Sequence, residues 1–397
     1  MRPEDLQREA RVATLAGMAA LASAMGVGRF AFTPMLPLMQ AGGSLTLAQG
    51  AWLAVANYLG YLVGALLCSL RPPMPHLAAR VGLVAVALLT LGMGMGGGFA
   101  AWLVLRFGAG AASAFVLVGV AASVLGALAE RGRAAWAGWV FAGVGLGICG
   151  AGLLGLGAGL CALAPDRAWQ LLGWASAAVA LLVWFALHPT PAGAAVPQAA
   201  AMAPLGRDGW RLVLAYGGFG FGYIVPATFL PAAARELVAD PAVFGWVWPV
   251  FGAAAAASTV LAAFVFRAVP PRRVWAVAQA IMAVGVLATA LRLHLATLLL
   301  CAVCVGGTFM VVTMAGLQEA RRLAGTAAPR WIAAMTAAFA AGQLLGPFTV
   351  GLLASPQGSG MASASALAGA VLLAGVWTLW RPGAAPGPPA LTERTPT

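Results

Sequence analysis

The chain has 397 residues, of which 62% are hydrophobic and only 8% charged. Because soluble domains carry roughly 25% charged residues, this chain cannot cover its apolar surface with polar side chains, and we expect a lipid bilayer around it. The formal net charge of +12 raises the question of nucleic-acid binding. The basic side chains, all Arg apart from three His, are scattered between apolar runs. They therefore indicate membrane topology, and no nucleic-acid partner is expected.

Twelve apolar runs are long enough to cross a bilayer, which takes about twenty residues of α-helix. A signal peptide is suggested by Ala22-Ser23-Ala24, but acidic residues precede the first run and it continues past that site. The pattern predicts an all-α membrane protein with twelve transmembrane helices. In chain order the runs cover residues 12–38, 47–70, 78–96, 99–126, 134–163, 168–187, 210–234, 244–268, 274–293, 296–318, 331–353 and 361–380.

The longest interior connection, residues 188–209, is rich in Pro and Ala. It predicts a cytoplasmic linker between six-helix bundles at residues 1–187 and 210–380, with a disordered tail at 381–397. If the N-terminus is cytoplasmic, seventeen Arg lie on the cytoplasmic side of the membrane and three on the other. Because basic residues accumulate in cytoplasmic loops, we predict that both termini are cytoplasmic, in a bacterial inner (plasma) membrane. We expect the protein to be a monomer.

The two halves repeat each other. Gly-Val-Gly-Arg at residues 26–29 and Leu-Pro at 36–37 match Gly-Phe-Gly-Tyr at 220–223 and Leu-Pro at 230–231, at an offset of 194. A weaker repeat, at an offset of 199, spaces glycines four apart in segments five and eleven (Gly143, Gly147, Gly342 and Gly346). The repeats predict two pseudo-symmetric bundles, with Arg29 and Tyr223 at equivalent depths.

This layout resembles the major facilitator superfamily, in which two six-helix halves rock about a midplane site. Arg106-x-x-x-Gly110 looks like the superfamily's fourth-helix motif, and the Gly-rich run at residues 143–152 is similar to its fifth-helix antiporter motif, without the usual Pro. Residues 28–34 and 220–231 resemble the YbfB/YjiJ-type family of bacterial transporters. The resemblance covers nearly the whole chain and implies the major facilitator fold, but it names no substrate.

Two arginines, Arg29 and Arg106, are predicted to lie deep in the spans, whereas no Asp or Glu does. A central Arg costs about 2.5–3.5 kcal/mol on insertion scales and is a functional candidate by default. The superfamily resemblance places helices one and four at one cavity, so both guanidinium groups are candidates for substrate binding. They bind either backbone carbonyls and water or an anionic ligand.

Further substrate-binding candidates are neutral polar residues. Asn57 is the only Asn and lies at the middle of segment two, and the tyrosines are confined to segments two and seven. Aromatic residues in membrane helices are commonly packing residues or interface anchors; the alternative is that Tyr61 and Tyr223 direct hydroxyl groups into a cavity. Thr308 and Gln343 are midplane candidates in the second half.

We interpret the chain as a secondary transporter of a small organic solute, by efflux or exchange of an organic anion. No G-x-x-x-x-G-K-[ST] loop is present, so ATP drive within this chain is not expected. The alternatives are efflux of neutral or lipophilic compounds, with structural arginines, or a non-transporting membrane sensor. The sequence predicts no catalytic residues, metal site or cofactor: Cys301 and Cys304 form a C-x-x-C pair inside a span, without zinc-site or redox context. The expected partners are a small-molecule solute and the lipid bilayer.

Overall fold

The computed structural model describes residues 3–71, 73–187, 206–265, 269–324, 328–353 and 360–380. Most of the predicted linker, residues 188–205, and the predicted tail, residues 381–397, lie outside the described residues. Within the described ranges the chain is helical and contains no strand.

Twelve helices of the described residues are long and apolar enough to cross a membrane, and they confirm the twelve predicted spans. At about 1.5 Å per residue, even the shortest of these, with 19 residues, approaches the thickness of the hydrocarbon core. They are α1 (Gln7–Ala41), α2 (Leu47–Leu70), α3 (Pro75–Met93), α4 (Gly98–Leu128), α5 (Ala137–Leu160), α6 (Pro165–Ala186), α7 (Arg207–Leu237), α8 (Pro241–Phe264), α9 (Pro271–Leu291), α10 (Leu295–Ala324), α11 (Arg330–Leu353) and α12 (Met361–Trp380).

Several helices extend past the predicted boundaries on the side of the membrane that carries the chain termini, which we call the terminus side, and two of them have ion pairs there. Helix α7 begins at Arg207 rather than at residue 210, and α10 continues to Ala324 rather than ending at residue 318. Ion pairs within one helical turn occur there: Arg211 bonds Asp208 at 2.9 Å, and Arg322 bonds Glu319 at 2.8 Å. Polar residues end the apolar run without ending the helix, because such pairs stabilise helical turns.

Helix α1 changes its hydrogen-bond pattern in the middle of the membrane. Residues Ala22–Phe30 form a π-helix, and the α-helix resumes at Phe32. The wider turn breaks the regular pairing of backbone groups, and π segments inside α-helices are frequently found at functional sites. The π segment contains Arg29. A shorter π segment, Ala121–Leu125, lies in α4.

The helices of the two halves pair in the same way. In the first half α1 packs on α5 and α6, α4 on α2 and α3, and α3 on α6. In the second half α7 packs on α11 and α12, α10 on α8 and α9, and α9 on α12. The halves meet through α5 with α8, α2 with α11, and α1 with α7. The first two of these contacts are equivalent under the repeat, so the molecule consists of two pseudo-symmetric bundles.

Glycines allow the closest of these helix contacts. A Cβ at Gly143 or Gly147 of α5 would meet backbone atoms of α1, at Met18 and Ala22 respectively. In the second half a Cβ at Gly342 of α11 would meet the α7 backbone. Small residues at such positions let membrane helices approach until their backbones touch. The repeated glycines therefore set the α1–α5 and α7–α11 distances.

Candidate substrate-binding site

A cavity of about 710 Å³ lies between the two halves. It begins at Arg29 and Tyr223 in the middle of the membrane and extends to Gln318 and Arg321 near the terminus side. Its walls are mostly apolar and aromatic. They include Met25, Phe30, Tyr61, Leu117, Phe141, Val144, Phe309, Met310, Thr313, Met314, Leu317 and Phe339.

Hydrogen bonds between the halves close the cavity on the opposite side of the membrane. The Thr33 hydroxyl donates to the Ala227 carbonyl at 2.8 Å, and these residues are 194 positions apart, the offset of the repeat. Residues related by a pseudo-twofold axis meet where they lie close to that axis. The Tyr58 and Thr228 hydroxyls also bond, at 2.9 Å, and Arg235 of α7 donates to the Pro37 carbonyl at 2.9 Å. The structure is therefore open toward the terminus side and closed on the other.

Arg29 lies at the closed end of the cavity with 4% of its surface exposed. Its Nη2 donates to Oε1 of Gln343 at 3.2 Å, and its guanidinium carbon lies 4.0 Å from the centre of the Tyr61 ring, in range for a cation–π interaction. Its Nε is buried without a hydrogen-bond partner. A guanidinium has five N–H donors, so most of this donor capacity is not used by the residues that the structure describes.

Gln343 connects Arg29 to Tyr223. Its amide nitrogen donates to the Tyr223 hydroxyl oxygen, so one side chain of α11 bonds both repeat-related residues. The Tyr223 ring is held between two aromatic rings nearly parallel to it, Phe309 at 5.8 Å and Phe339 at 5.6 Å. With Tyr61, whose ring lies against Arg29, four of the predicted site residues thus meet at the end of the cavity.

Arg106 and Asn57 do not line the cavity; they bind the π-helical backbone of α1 instead. Arg106 is 2% exposed, and its two terminal nitrogens donate to the carbonyls of Gly28 at 3.2 Å and Arg29 at 2.9 Å. The Asn57 amide donates to the Gly28 carbonyl at 3.1 Å and to the Arg106 carbonyl at 2.9 Å. The two predicted deep arginines therefore occupy different environments: Arg29 lines the cavity, whereas Arg106 is bound to backbone carbonyls.

The second half lacks both of these residues and also lacks the π segment in its first helix. A Cβ at Gly110 of α4 would meet the Asn57 carbonyl, and a Cβ at Gly306 of α10 would meet the Phe251 carbonyl. These matched contacts make Phe251 the counterpart of Asn57. Helix α7, which lacks both the Arg and the Asn partner, is α-helical through the region equivalent to the π segment. In the first helix, the irregular backbone thus occurs where side chains bond its carbonyls.

Thr308 does not line the cavity either. Its hydroxyl donates to the Cys304 carbonyl of its own helix at 2.5 Å. Sequence reasoning missed Phe309 and Phe339, which hold Tyr223, and the pair Gln318 and Arg321 near the terminus-side end. Phenylalanines in apolar helices give no signal of their own. The spacing of Gln318 and Arg321, three apart at the end of α10, was a signal for one polar helix face.

The fold defines the class of protein. The chain aligns with the crystal structure of a bacterial homolog of the human lysosomal transporter Spinster, in an inward-facing, unoccupied conformation, with a TM-score of 0.67 and 15% identity over 96% of this chain and 95% of that one. It aligns with a mutant of the nucleoside transporter NupG with a TM-score of 0.68 and 10% identity, over 92% of this chain and 98% of that one. At these identities the likeness shows the fold, which is that of major facilitator superfamily transporters.

The family follows from the sequence. The model of the family described as uncharacterised MFS-type transporter YbfB matches residues 21–379. The chain belongs to this family and is a multi-pass membrane protein. No curated protein sequence matched the chain.

Proposed function

We propose that this protein is a secondary transporter that moves a small organic anion across a bacterial inner membrane by alternating access, with Arg29 as the anion contact. The observation that carries the proposal is the charge of the central cavity. Among the described residues that line it, the charged side chains are Arg29 and Arg321, and neither Asp nor Glu is present. A low-dielectric cavity with charge of one sign concentrates ions of the other sign.

The unused donors of Arg29 support the same substrate class. A buried cation without a carboxylate partner is costly in the membrane, and an anion held by the guanidinium offsets that cost. Arg29 also lies at the closed end of the cavity, where a bound solute touches both halves. Contact with both halves is what allows a substrate to influence their movement.

The driving force requires no proton-carrying side chain. With both termini cytoplasmic, the cavity opens to the cytoplasm, and an inside-negative potential favours export of a monoanion by about 2.3 kcal/mol per 100 mV. We therefore favour efflux or exchange over uptake. The protein acts in this proposal as a monomer, without nucleic acid or cofactor.

A second candidate, efflux of neutral or lipophilic compounds, is favoured by the aromatic and Met side chains of the cavity wall. Under this alternative Arg29 is structural, held by Gln343 and the Tyr61 ring. The two candidates differ in what they require of the Arg29 charge.

Replacement of Arg29 tests the proposal. Arg29→Gln should abolish or strongly weaken flux of labelled organic anions in proteoliposomes, because the cavity loses the positive charge at its closed end. Arg29→Lys should restore only part of the flux, since an ammonium keeps the charge but loses the planar fork that grips a carboxylate. Arg292→Gln, at an exposed arginine outside the cavity lining, is the matched control.

Protein quantity and melting temperature are measured in parallel. Unchanged anion flux in folded Arg29→Gln contradicts the anion proposal and supports the neutral-solute candidate. Absence of flux for every solute class in the wild-type protein supports a sensor instead of a transporter.

A further inference from the structure

The hydrogen bonds of Gln343 fix which way its amide points. A guanidinium can only donate hydrogen bonds, so the Gln343 atom 3.2 Å from Arg29 Nη2 must be the amide oxygen. The amide nitrogen then faces the Tyr223 hydroxyl. Because an NH₂ group can only donate, the phenol oxygen accepts this bond. The Tyr223 O–H proton is therefore not used by Gln343 and remains free to donate elsewhere.

The closed end of the cavity consequently presents donors. Arg29 and Tyr223 both line it, and the Arg29 Nε is buried without a partner in a side chain that is 4% exposed. The Tyr223 hydroxyl has no other hydrogen-bond partner among the described residues than Gln343. Tyr61, whose ring lies against Arg29, adds a hydroxyl that can also donate. The rings of Phe30, Phe309 and Phe339 line the same cavity and supply no acceptor atoms. A ligand that fits this end has acceptors at its tip and an apolar body behind them.

The number of charges limits the tip to a monoanion. The other charged side chain of the cavity lining is Arg321, near the terminus side. It lies on α10, 12 residues after Phe309, and the two residues are therefore about 18 Å apart along the helix axis. Among the described residues that line the cavity, Arg29 is the charged side chain that can contact a ligand at the closed end. The nearby Arg106 does not line the cavity, and its terminal nitrogens are bound to the carbonyls of Gly28 and Arg29. A carboxylate matches the planar fork of one guanidinium together with one further donor. A phosphate dianion would carry a second negative charge with no second guanidinium in contact with it.

We propose, building on the function proposed above, that the substrates are monocarboxylates with an apolar or aromatic body. The carboxylate accepts from the Arg29 guanidinium of the first half and from the Tyr223 hydroxyl of the second half. Gln343 is a positioning residue: its amide oxygen holds Arg29, and its amide nitrogen directs the Tyr223 proton toward the ligand. The substrate thereby connects the two halves where they rock against each other.

Two substitutions separate these roles. Tyr223→Phe removes one donor to a charged group and should weaken carboxylate binding by about 10- to 100-fold. Gln343→Glu keeps the size of the side chain but adds a carboxylate that occupies Arg29 and repels the ligand, so binding should be lost. Tyr216→Phe is the matched control, because Tyr216 is a buried tyrosine on the same helix and does not line the cavity.

The experiment measures binding to the full chain in nanodiscs by calorimetry. The probes are octanoate and phenylacetate, each paired with its carboxamide, and phenylphosphonate as an anion of higher charge. We expect the carboxylates to bind and the carboxamides and the phosphonate to bind at least 10-fold more weakly. The melting temperature without ligand shows that each variant is folded, and Tyr223→Phe keeps the test valid if Gln343→Glu does not fold.

The outcomes distinguish this inference from the proposed function. Carboxylate binding that is lost in Arg29→Gln but unchanged in Tyr223→Phe and Gln343→Glu overturns the donor arrangement while the anion transporter stands. Preference for the phosphonate, or equal binding of carboxylates and carboxamides, overturns the monocarboxylate assignment. Carboxylate binding that does not depend on Arg29 overturns both.

Discussion

At the scale of single residues, some polar side chains line the cavity, where a ligand can contact them, whereas others hydrogen-bond backbone carbonyls. The Gly28 carbonyl accepts one hydrogen bond from Asn57 and one from Arg106. The other terminal nitrogen of Arg106 donates to the Arg29 carbonyl. These bonds keep the π-helical turn of α1 satisfied at membrane depth, where water does not reach unpaired backbone groups. The same turn carries the Arg29 side chain into the cavity.

Asn57→Ala should therefore lower the melting temperature in detergent. It removes two buried hydrogen bonds to the carbonyls of Gly28 and Arg106, and each such bond contributes about 0.5–1.5 kcal/mol to stability. Ser69→Ala is the control, because Ser69 is exposed on the same helix and bonds only the Ala65 carbonyl of its own turn. If the two variants melt at the same temperature, the backbone role assigned to Asn57 is wrong.

At the scale of helices, glycine faces determine how closely α1 and α5 approach. The α5 helix has glycines on two faces. Gly147 lies against the Ala22 carbonyl of α1, within the π segment, whereas a Cβ at Gly150 would have open space around it. Two glycines three residues apart on one helix thus differ in their packing: a methyl group has no room at Gly147 and has room at Gly150.

This contrast gives a paired test. Gly147→Ala should destabilise the protein, since the added methyl group meets rigid backbone and pushes α1 away from α5. Gly150→Ala should be neutral or stabilise by up to about 1 kcal/mol, because alanine is the better helix former. Melting temperatures of the two variants in the same detergent provide the measurement. Equal effects would show that the α1–α5 distance does not depend on Gly147.

At the scale of the whole molecule, the two halves form one cavity that is open on the terminus side. The contacts α5 with α8 and α2 with α11 repeat each other, and the Thr33–Ala227 bond joins positions related by the repeat. This arrangement is the one expected of halves that rock about a shared axis. Which compartment the cavity faces depends on the membrane orientation of the termini.

The arginine distribution predicts that orientation. Reporter fusions after Arg133 and after Arg273 should read cytoplasmic, and a fusion after Asp166 should read periplasmic, because basic loops are retained in the cytoplasm. Alkaline phosphatase and green fluorescent protein fusions measure the two states in the same cells. A periplasmic result at Arg133 would reverse the orientation and turn the open cavity toward the periplasm.

The sequence alone determined the spans, because hydropathy measures a local transfer free energy. It also determined the repeat, because the offset of 194 is found by comparing one half of the sequence with the other. It also selected Arg29, Tyr223 and Gln343 as candidates. It did not reveal that Gln343, 314 positions from Arg29, bonds both of the others.

Only the tertiary structure decided the direction in which each side chain points. Trp246 and Trp248 are two residues apart at the start of α8, yet Trp246 is 50% exposed and Trp248 is 1% exposed and packs on Phe251. Arg29 and Arg106 are equally polar and similarly deep, yet one lines the cavity and the other binds backbone carbonyls. Each residue turns a helix by about 100°, so the rotational setting of the helices decides these differences. That setting is fixed by packing between helices distant in sequence, and no local pattern encodes it.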